Sequence, residues 1–181
     1  MGKAPVIKKG LVIGIGNVLR GDDGLGPQTV AVLDEIGFNG RDVSTITLPQ
    51  IDITLASSLA SVDYAVFVDA RIHDSQEEVK VVHYVQAERG MTLSHTSHSL
   101  SIPSLIEMTR ELYGKAPDCY MVAPKGHDFS IGERLSPRAE ANCRLAAKNV
   151  IDLVREMSQS SGRRSRARDG EVGPGDRRII S

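Results

Sequence analysis

Residues 11–26 read LVIGIGNVLRGDDGLG, and this stretch decides the fold class. Its first five residues form an apolar run that is followed by Gly16-Asn17, which is typical of a buried strand entering a turn. From Leu25 onward, apolar residues recur at helical spacing as far as Gly37, a residue suited to end a helix. The stretch therefore predicts a strand, a glycine-rich turn with two adjacent aspartates, and a helix.

The same alternation of strands and helices continues along the chain. Further strands are predicted at 43–48, 64–68, 79–85 and 119–123, and further helices at 51–59, 103–114 and 136–157. The 79–85 segment alternates and is predicted as an edge or antiparallel strand. On the last helix, the residues expected to face inward are Ala141, Leu145, Val150 and Val154. This order predicts a three-layer α/β fold with a twisted, mostly parallel sheet and helices on both faces.

Composition narrows the class of protein. The chain has 181 residues, 40% of them hydrophobic and none of them Trp, which suits one domain with an aliphatic core. The formal net charge of −1 gives no global attraction to nucleic acid or to a membrane surface. No apolar run has the length of a membrane span or a signal peptide, so a cytoplasmic protein is expected. Cys119 and Cys143 lack CxxC spacing and are interpreted as reduced, partly buried thiols.

The composition changes after Met157. Residues 158–181 are rich in Ser, Gly and Arg, and six arginines stand there against three acids. We therefore predict a single α/β domain over residues 1–157 and a disordered tail over 158–181. The tail is interpreted as solvated chain, and a basic contact with a partner is the alternative.

The glycine-rich turn does not match a dinucleotide-binding fingerprint. A GxGxxG motif needs Gly at position 19, where Leu stands, and the second strand ends at Leu48-Pro49 without an acidic residue. GxSxG, P-loop, HExxH and EF-hand patterns are also absent from the sequence. What remains is a pair of carboxylates before a helix. We interpret Asp22 as a cap that accepts backbone N–H bonds and expect Asp23 to face elsewhere.

Two carboxylates are expected beyond the ends of two of the predicted strands. Asp23 follows the first strand and Asp69 directly follows the third, and open α/β sheets bind ligands in the crevice at this edge. An Asp after a buried strand is costly unless it is hydrated, paired or metal-bound. A polar loop adds His95 or His98 as a third candidate. Two carboxylates and one imidazole suit Ni²⁺, Mn²⁺, Fe²⁺ or Zn²⁺ and leave positions open for water or substrate.

The turn resembles the N-terminal signature of the hydrogenase maturation endopeptidases, GxGNxLxxD(D/E)GxG. The likeness spans roughly residues 9–155 and is carried by residues 14–26, 67–70, 98, 101–106 and 132–137. Members of that family remove a C-terminal extension from the large-subunit precursor of [NiFe]-hydrogenase after nickel has been inserted. The resemblance implies this activity, together with a twisted sheet covered by helices on both faces.

The resemblance also implies which residues act. The family's metal-contacting and catalytic positions fall on Asp23, Asp69 and His98, and the residues after His98 favour it over His95; His127 is a weaker candidate. The implied cofactor is nickel, carried by the precursor rather than held permanently by the peptidase. The implied partner is that precursor, with no nucleic acid and no membrane insertion, and the peptidase is expected to be a monomer.

Three questions stay open on the sequence alone. Water could be activated by the metal, which lowers its pKa, or by a carboxylate that acts as general base. The chain could instead be another metal-dependent hydrolase, acting on a small substrate. It could also be a non-enzymatic, metal-responsive chaperone or binding module for the precursor.

Overall fold

The computed structural model describes residues 8–40, 42–72, 76–84 and 100–159. In these ranges one sheet contains the strands β1 (Gly10–Ile15), β2 (Val43–Leu48), β3 (Tyr64–Asp69), β4 (Val79–Tyr84) and β5 (Asp118–Pro124). The α-helices there are α1 (Leu25–Glu35), α2 (Leu55–Ala60), α3 (Ile102–Tyr113) and α4 (Pro137–Gln159). A 3-10 helical turn over Gly21–Gly24 precedes α1. Each of these strands and α-helices overlaps an element that the sequence predicts.

The sheet has the strand order β2-β1-β3-β5-β4. Its first four strands are parallel, and β4 pairs antiparallel with β5 at the edge. The prediction of an edge or antiparallel strand is confirmed for residues 79–84, and residue 85 lies outside the described ranges. The chain leaves β1 for β2 on one side and returns to β3 on the other, so the strand order reverses between β1 and β3. Ligands of open α/β sheets bind at such a reversal, beyond the carboxyl ends of the strands.

Helices cover both faces of the sheet. On one face α1 and α4 pack over a core that includes Leu33 and Val150. On the other face α2 and α3 pack over a core that includes Leu59, Phe67 and Leu105. All five side chains are fully buried. The predicted three-layer α/β class, with a mostly parallel sheet, is confirmed.

The buried face of α4 differs from the predicted one. Val150 and Val154 are buried as predicted, but Ala141 is exposed and Leu145 keeps 42% of its surface accessible. The prediction for these two residues is wrong because α4 packs against α1 through small side chains. Those buried small residues are Ala139, Cys143, Ala146 and Ala147.

The two cysteines lie in separate elements, Cys119 in β5 and Cys143 in α4. Both are free and buried, which confirms the prediction of free thiols and goes beyond partial burial. Burial raises the pKa of the Cys119 thiol to about 12 and also raises the pKa of Cys143. Because the thiolate is the nucleophilic form, neither residue is suited to nucleophilic catalysis near neutral pH.

Parts of the sequence predictions fall outside the described ranges. His95 and His98 lie there, and so does residue 160 onward of the predicted tail. The last helix continues to Gln159, slightly past the predicted end at Met157. Within the described ranges, no helix is long and apolar enough to cross a membrane.

Candidate functional site

Asp69 is the last residue of β3 and stands at the carboxyl edge of the sheet. It is in register with Ile15, the last residue of β1, and it is partly buried while the rest of β3 is fully covered. Burial, and after it the Asp23 carboxylate, raise the pKa of Asp69 to about 6, although the Ala70 N–H acts in the opposite direction. Asp69 can therefore take up or release a proton close to neutral pH.

Asp23 lies in the 3-10 turn after β1, on the other side of the strand reversal. Its Oδ2 accepts a hydrogen bond from the Asn17 N–H at 3.0 Å. The Asn17 Oδ1 in turn accepts a hydrogen bond from the Leu19 N–H at 3.0 Å. These bonds fold the loop over the end of β1, where the charge of Asp23 acts on Asp69. The structure thus brings together two of the three predicted site residues.

Two glycines allow the turn to lie this close to the strands. Gly16 has a φ of 141°, and a Cβ at this position would collide with the Asp23 carbonyl oxygen. Gly26 lies in the first turn of α1, and a Cβ there would collide with the carbonyl oxygens of Ile15 and Val68. The helix therefore begins in backbone contact with both β1 and β3. At these two positions of the motif, any side chain would collide with the backbone, so only glycine fits.

Asp22 points away from Asp23 and is fully buried. Its carboxylate accepts hydrogen bonds from the N–H groups of His127, Asp128 and Ser136 and from the Ser136 hydroxyl, all at 2.7–2.8 Å. Burial by itself would raise the pKa of Asp22, but these hydrogen bonds outweigh it and lower the pKa. The prediction that Asp22 accepts backbone N–H bonds is correct, but the prediction that these belong to the helix that follows it is wrong. Asp22 binds the segment in front of α4 and does not cap its own helix.

The third predicted residue, His98, and its competitor His95 lie outside the described ranges, so that assignment stays a prediction. His127 contributes its backbone N–H to Asp22, and its Nε2 lies 3.8 Å from the Glu78 carboxylate. His83 stacks on Tyr120 with ring centroids 4.2 Å apart. Among the described residues, no three His, Cys, Asp or Glu side chains form a group that could hold a metal.

The donor chemistry of the carboxylate pair fits a cation that brings its other ligands with it. Carboxylate oxygens suit hard and borderline divalent ions. After burial, the Asp23 charge is the second cause of the raised pKa of Asp69, and a cation beside the two carboxylates would relieve their repulsion. Two oxygen donors are nevertheless an incomplete coordination shell for a resident metal.

Replacing Asp69 should stabilise the fold at neutral pH. Its pKa of about 6 lies above the usual 3.8, so the folded chain binds the proton more tightly than the unfolded chain does. The free energy of unfolding therefore falls as the pH rises from about 4 to about 6. We expect Asp69→Asn to raise it at pH 7.5 by about 1–2 kcal/mol and to flatten this pH dependence. Urea denaturation over a pH series measures both effects.

The matched control is Asp118→Asn, which removes a charge from an exposed residue at the start of β5. It should leave the decline between pH 4 and 6 in place. An Asp69→Asn chain that is no more stable than wild type at pH 7.5 would contradict the assignment of the raised pKa to Asp69.

Comparison with known proteins gives a structural match without a sequence match. No protein-family model and no curated protein sequence matches the chain. The hydrogenase maturating endopeptidase HybD from E. coli matches with a TM-score of 0.67 at 19% identity, over 82% of this chain and 93% of that one. The [NiFe]-hydrogenase maturation protease HycI from Thermococcus kodakarensis matches with a TM-score of 0.64 at 21% identity, again over 82% and 93%.

A third similar structure comes from a different organism. The hydrogenase 2 maturation peptidase from a Thaumarchaeota archaeon has a TM-score of 0.59 at 21% identity, over 81% of this chain and 98% of that one. The matches therefore cover nearly the whole of these peptidases. Identities this low establish a shared fold, and function has to be argued from the site. The chain has the fold of the hydrogenase maturation endopeptidases.

Proposed function

We propose that this chain is a monomeric, cytoplasmic endopeptidase that removes the C-terminal extension of a [NiFe]-hydrogenase large-subunit precursor after nickel insertion. The observation that carries the proposal is the Asp23–Asp69 carboxylate pair at the strand reversal of this particular fold. The fold alone would be insufficient support, because one fold hosts many chemistries. The pair alone would also be insufficient, because carboxylate pairs occur in many kinds of site.

In this proposal, nickel reaches the site as part of the substrate. Asp23 and Asp69 offer oxygen atoms to an open coordination position on the ion, and His98 is the proposed third contact. The repulsion between the two carboxylates favours a substrate that brings positive charge. A precursor that lacks nickel offers no such charge, so the same two residues would distinguish loaded from unloaded precursor.

Asp69 also has the properties of a general base for peptide-bond hydrolysis. With a pKa of about 6 it is mostly ionised at neutral pH, yet it retains enough basicity to accept a proton from a water molecule. In the other route, the ion in the substrate polarises the scissile carbonyl or acidifies a bound water, and the carboxylates place the substrate. Both routes require Asp23 and Asp69 at the same edge of the sheet.

The test is incubation of the chain with purified large-subunit precursor, read by intact mass. We expect nickel-loaded precursor to lose one C-terminal fragment of fixed mass, because the carboxylate pair orients a single bond. Nickel-free precursor, the matched control, should keep its full mass.

Two outcomes would contradict this proposal and support the alternatives. Stable binding of the loaded precursor without a mass change would indicate a chaperone or binding module. Turnover of small amides, together with an intact precursor, would indicate a small-substrate hydrolase.

A further inference from the structure

We propose that Asp22 is a positioning residue, which holds Asp23 beside Asp69 by fastening the aspartate turn to the segment in front of α4. The inference rests on the proposed function for its kinetic consequence. Its geometric part rests only on contacts between described residues, and the two parts can be tested separately.

The Asp22 carboxylate accepts four hydrogen bonds. An ionised carboxylate offers about four acceptor positions. Oδ1 accepts from the Ser136 N–H at 2.7 Å, and Oδ2 accepts from the His127 and Asp128 N–H groups and from the Ser136 hydroxyl at 2.7–2.8 Å. Because Asp22 is fully buried, water cannot replace a lost donor, and each lost bond leaves a costly unpaired group.

Backbone bonds align the same two segments. The Asp22 N–H donates to the Asp128 carbonyl at 2.8 Å, and the Gly21 N–H donates to the Gly132 carbonyl at 2.7 Å. Asp22, which directly precedes Asp23, is thus held through both its backbone and its side chain. This leaves little freedom in the direction in which the chain enters Asp23.

The need for such an anchor follows from the charge on the pair. Asp69 is in register with Ile15 at the end of β1, and the Asp23 backbone packs against Gly16, the next residue, so two carboxylates of like charge stand at one edge of the sheet and repel when both are ionised. On the other side, Asp23 has the hydrogen bond from the Asn17 N–H at 3.0 Å. A turn held less firmly would relax by moving Asp23 away from Asp69. The buried bonds of Asp22 oppose that movement.

Asp22→Asn changes the anchor with almost no change of shape. The side-chain amide has one acceptor oxygen, and its NH₂ group must face at least one N–H donor. At the Oδ2 position it would face His127 and Asp128, so the less costly orientation places it at Oδ1. The Ser136 N–H then loses its acceptor. Ser136→Ala weakens the anchor differently, because it removes a hydroxyl that donates to Asp22 and also accepts the Ala139 N–H at 3.3 Å. Ser136→Thr keeps a hydroxyl that can make both bonds.

The kinetic test compares these variants on nickel-loaded precursor. We expect Asp22→Asn and Ser136→Ala to lower kcat at least about 10-fold with KM within about twofold, since small misplacement of a reacting group is costly while the docking surface is unchanged. Ser136→Thr should retain most of the activity. Asp152→Asn, on the exposed side of α4, is the control for loss of one charge and should match wild type.

The geometric test needs no substrate. The backbone N–H of Asn17 donates to the Asp23 carboxylate, so its exchange with deuterium reports whether that bond is present. NMR can follow this exchange together with that of the backbone N–H groups of β1 and β3. We expect Asp22→Asn and Ser136→Ala to lose protection at Asn17 while both strands keep theirs. If Asp22→Asn does not fold, Ser136→Ala against Ser136→Thr decides the question.

Three results would overturn the positioning role: wild-type kcat in the folded Asp22→Asn or Ser136→Ala chain, loss of Asn17 protection only together with that of both strands, or equal impairment of Ser136→Ala and Ser136→Thr. A wild-type chain that leaves the precursor intact would instead refute the proposed function. In that case the exchange experiment would still decide whether Asp22 holds Asp23 in place.

Discussion

Asp23→Asn is expected to slow shortening of the nickel-loaded precursor by at least about 100-fold while leaving the fold intact. The substitution removes one of the two negative charges offered to the substrate, and no described side chain beside Asp69 duplicates it. The amide oxygen of Asn can still accept the Asn17 N–H, so the loop keeps its hydrogen bond. The loss should therefore be chemical rather than structural.

Single-turnover rates from intact mass measure this effect, and the thermal unfolding midpoint checks the fold. The pKa of Asp69, followed by carboxyl ¹³C NMR, gives an independent reading. It should fall below about 6 when the Asp23 charge is removed, yet stay above its usual value, because burial is the larger cause of the shift. Asp152→Asn again controls for loss of charge. If the Asp23→Asn chain shortens the precursor at the wild-type rate, Asp23 has no role in the proposed reaction.

Gly26→Ala is expected to destabilise the chain by about 3 kcal/mol or more. The added Cβ would collide with the Ile15 and Val68 carbonyl oxygens and lie 2.6 Å from the Ile15 nitrogen. All three atoms belong to the backbone of central strands, so no side chain can rotate to make room. Helix α1 would have to move away from the sheet, and the turn that carries Asp23 would move with it.

Urea denaturation measures the loss, and Gly40→Ala is the matched control. A Cβ at Gly40 meets nothing within 4 Å, and its backbone does not need a left-handed conformation. That control should be neutral or slightly stabilising, because Ala restricts the unfolded chain. Equal stability of the two variants would show that α1 does not depend on contact at Gly26.

The fold was largely predictable because its strands carry local signals. The run at 64–68 is apolar throughout, as expected for a parallel strand buried on both faces, whereas the alternation at 79–85 indicates the edge strand β4. The buried face of α4 was harder to predict from the sequence. Its contact with α1 uses Ala and Cys, whose small side chains give a weaker apolar pattern than Leu145 does.

The site was predictable only where its residues follow strand ends. Asp23 and Asp69 were proposed this way, and they follow the adjacent strands β1 and β3 in the structure, where the Asp23 charge contributes to the raised pKa of Asp69. The partners of Asp22 could not be identified, because three of the four donors are backbone N–H groups, which every residue type except Pro carries. The hydrogen bonds span 105 to 114 residues, and no periodicity or motif connects positions so far apart.

The anchoring of Asp22 has a consequence for the order in which the protein is made. Asp23 and Asp69 both leave the ribosome early, but every donor to Asp22 lies at or after His127. A nascent chain that ends before this point carries both carboxylates without the side-chain hydrogen bonds of Asp22. Because domains fold as units once their sequence has emerged, the pair is completed only when the start of α4 is available.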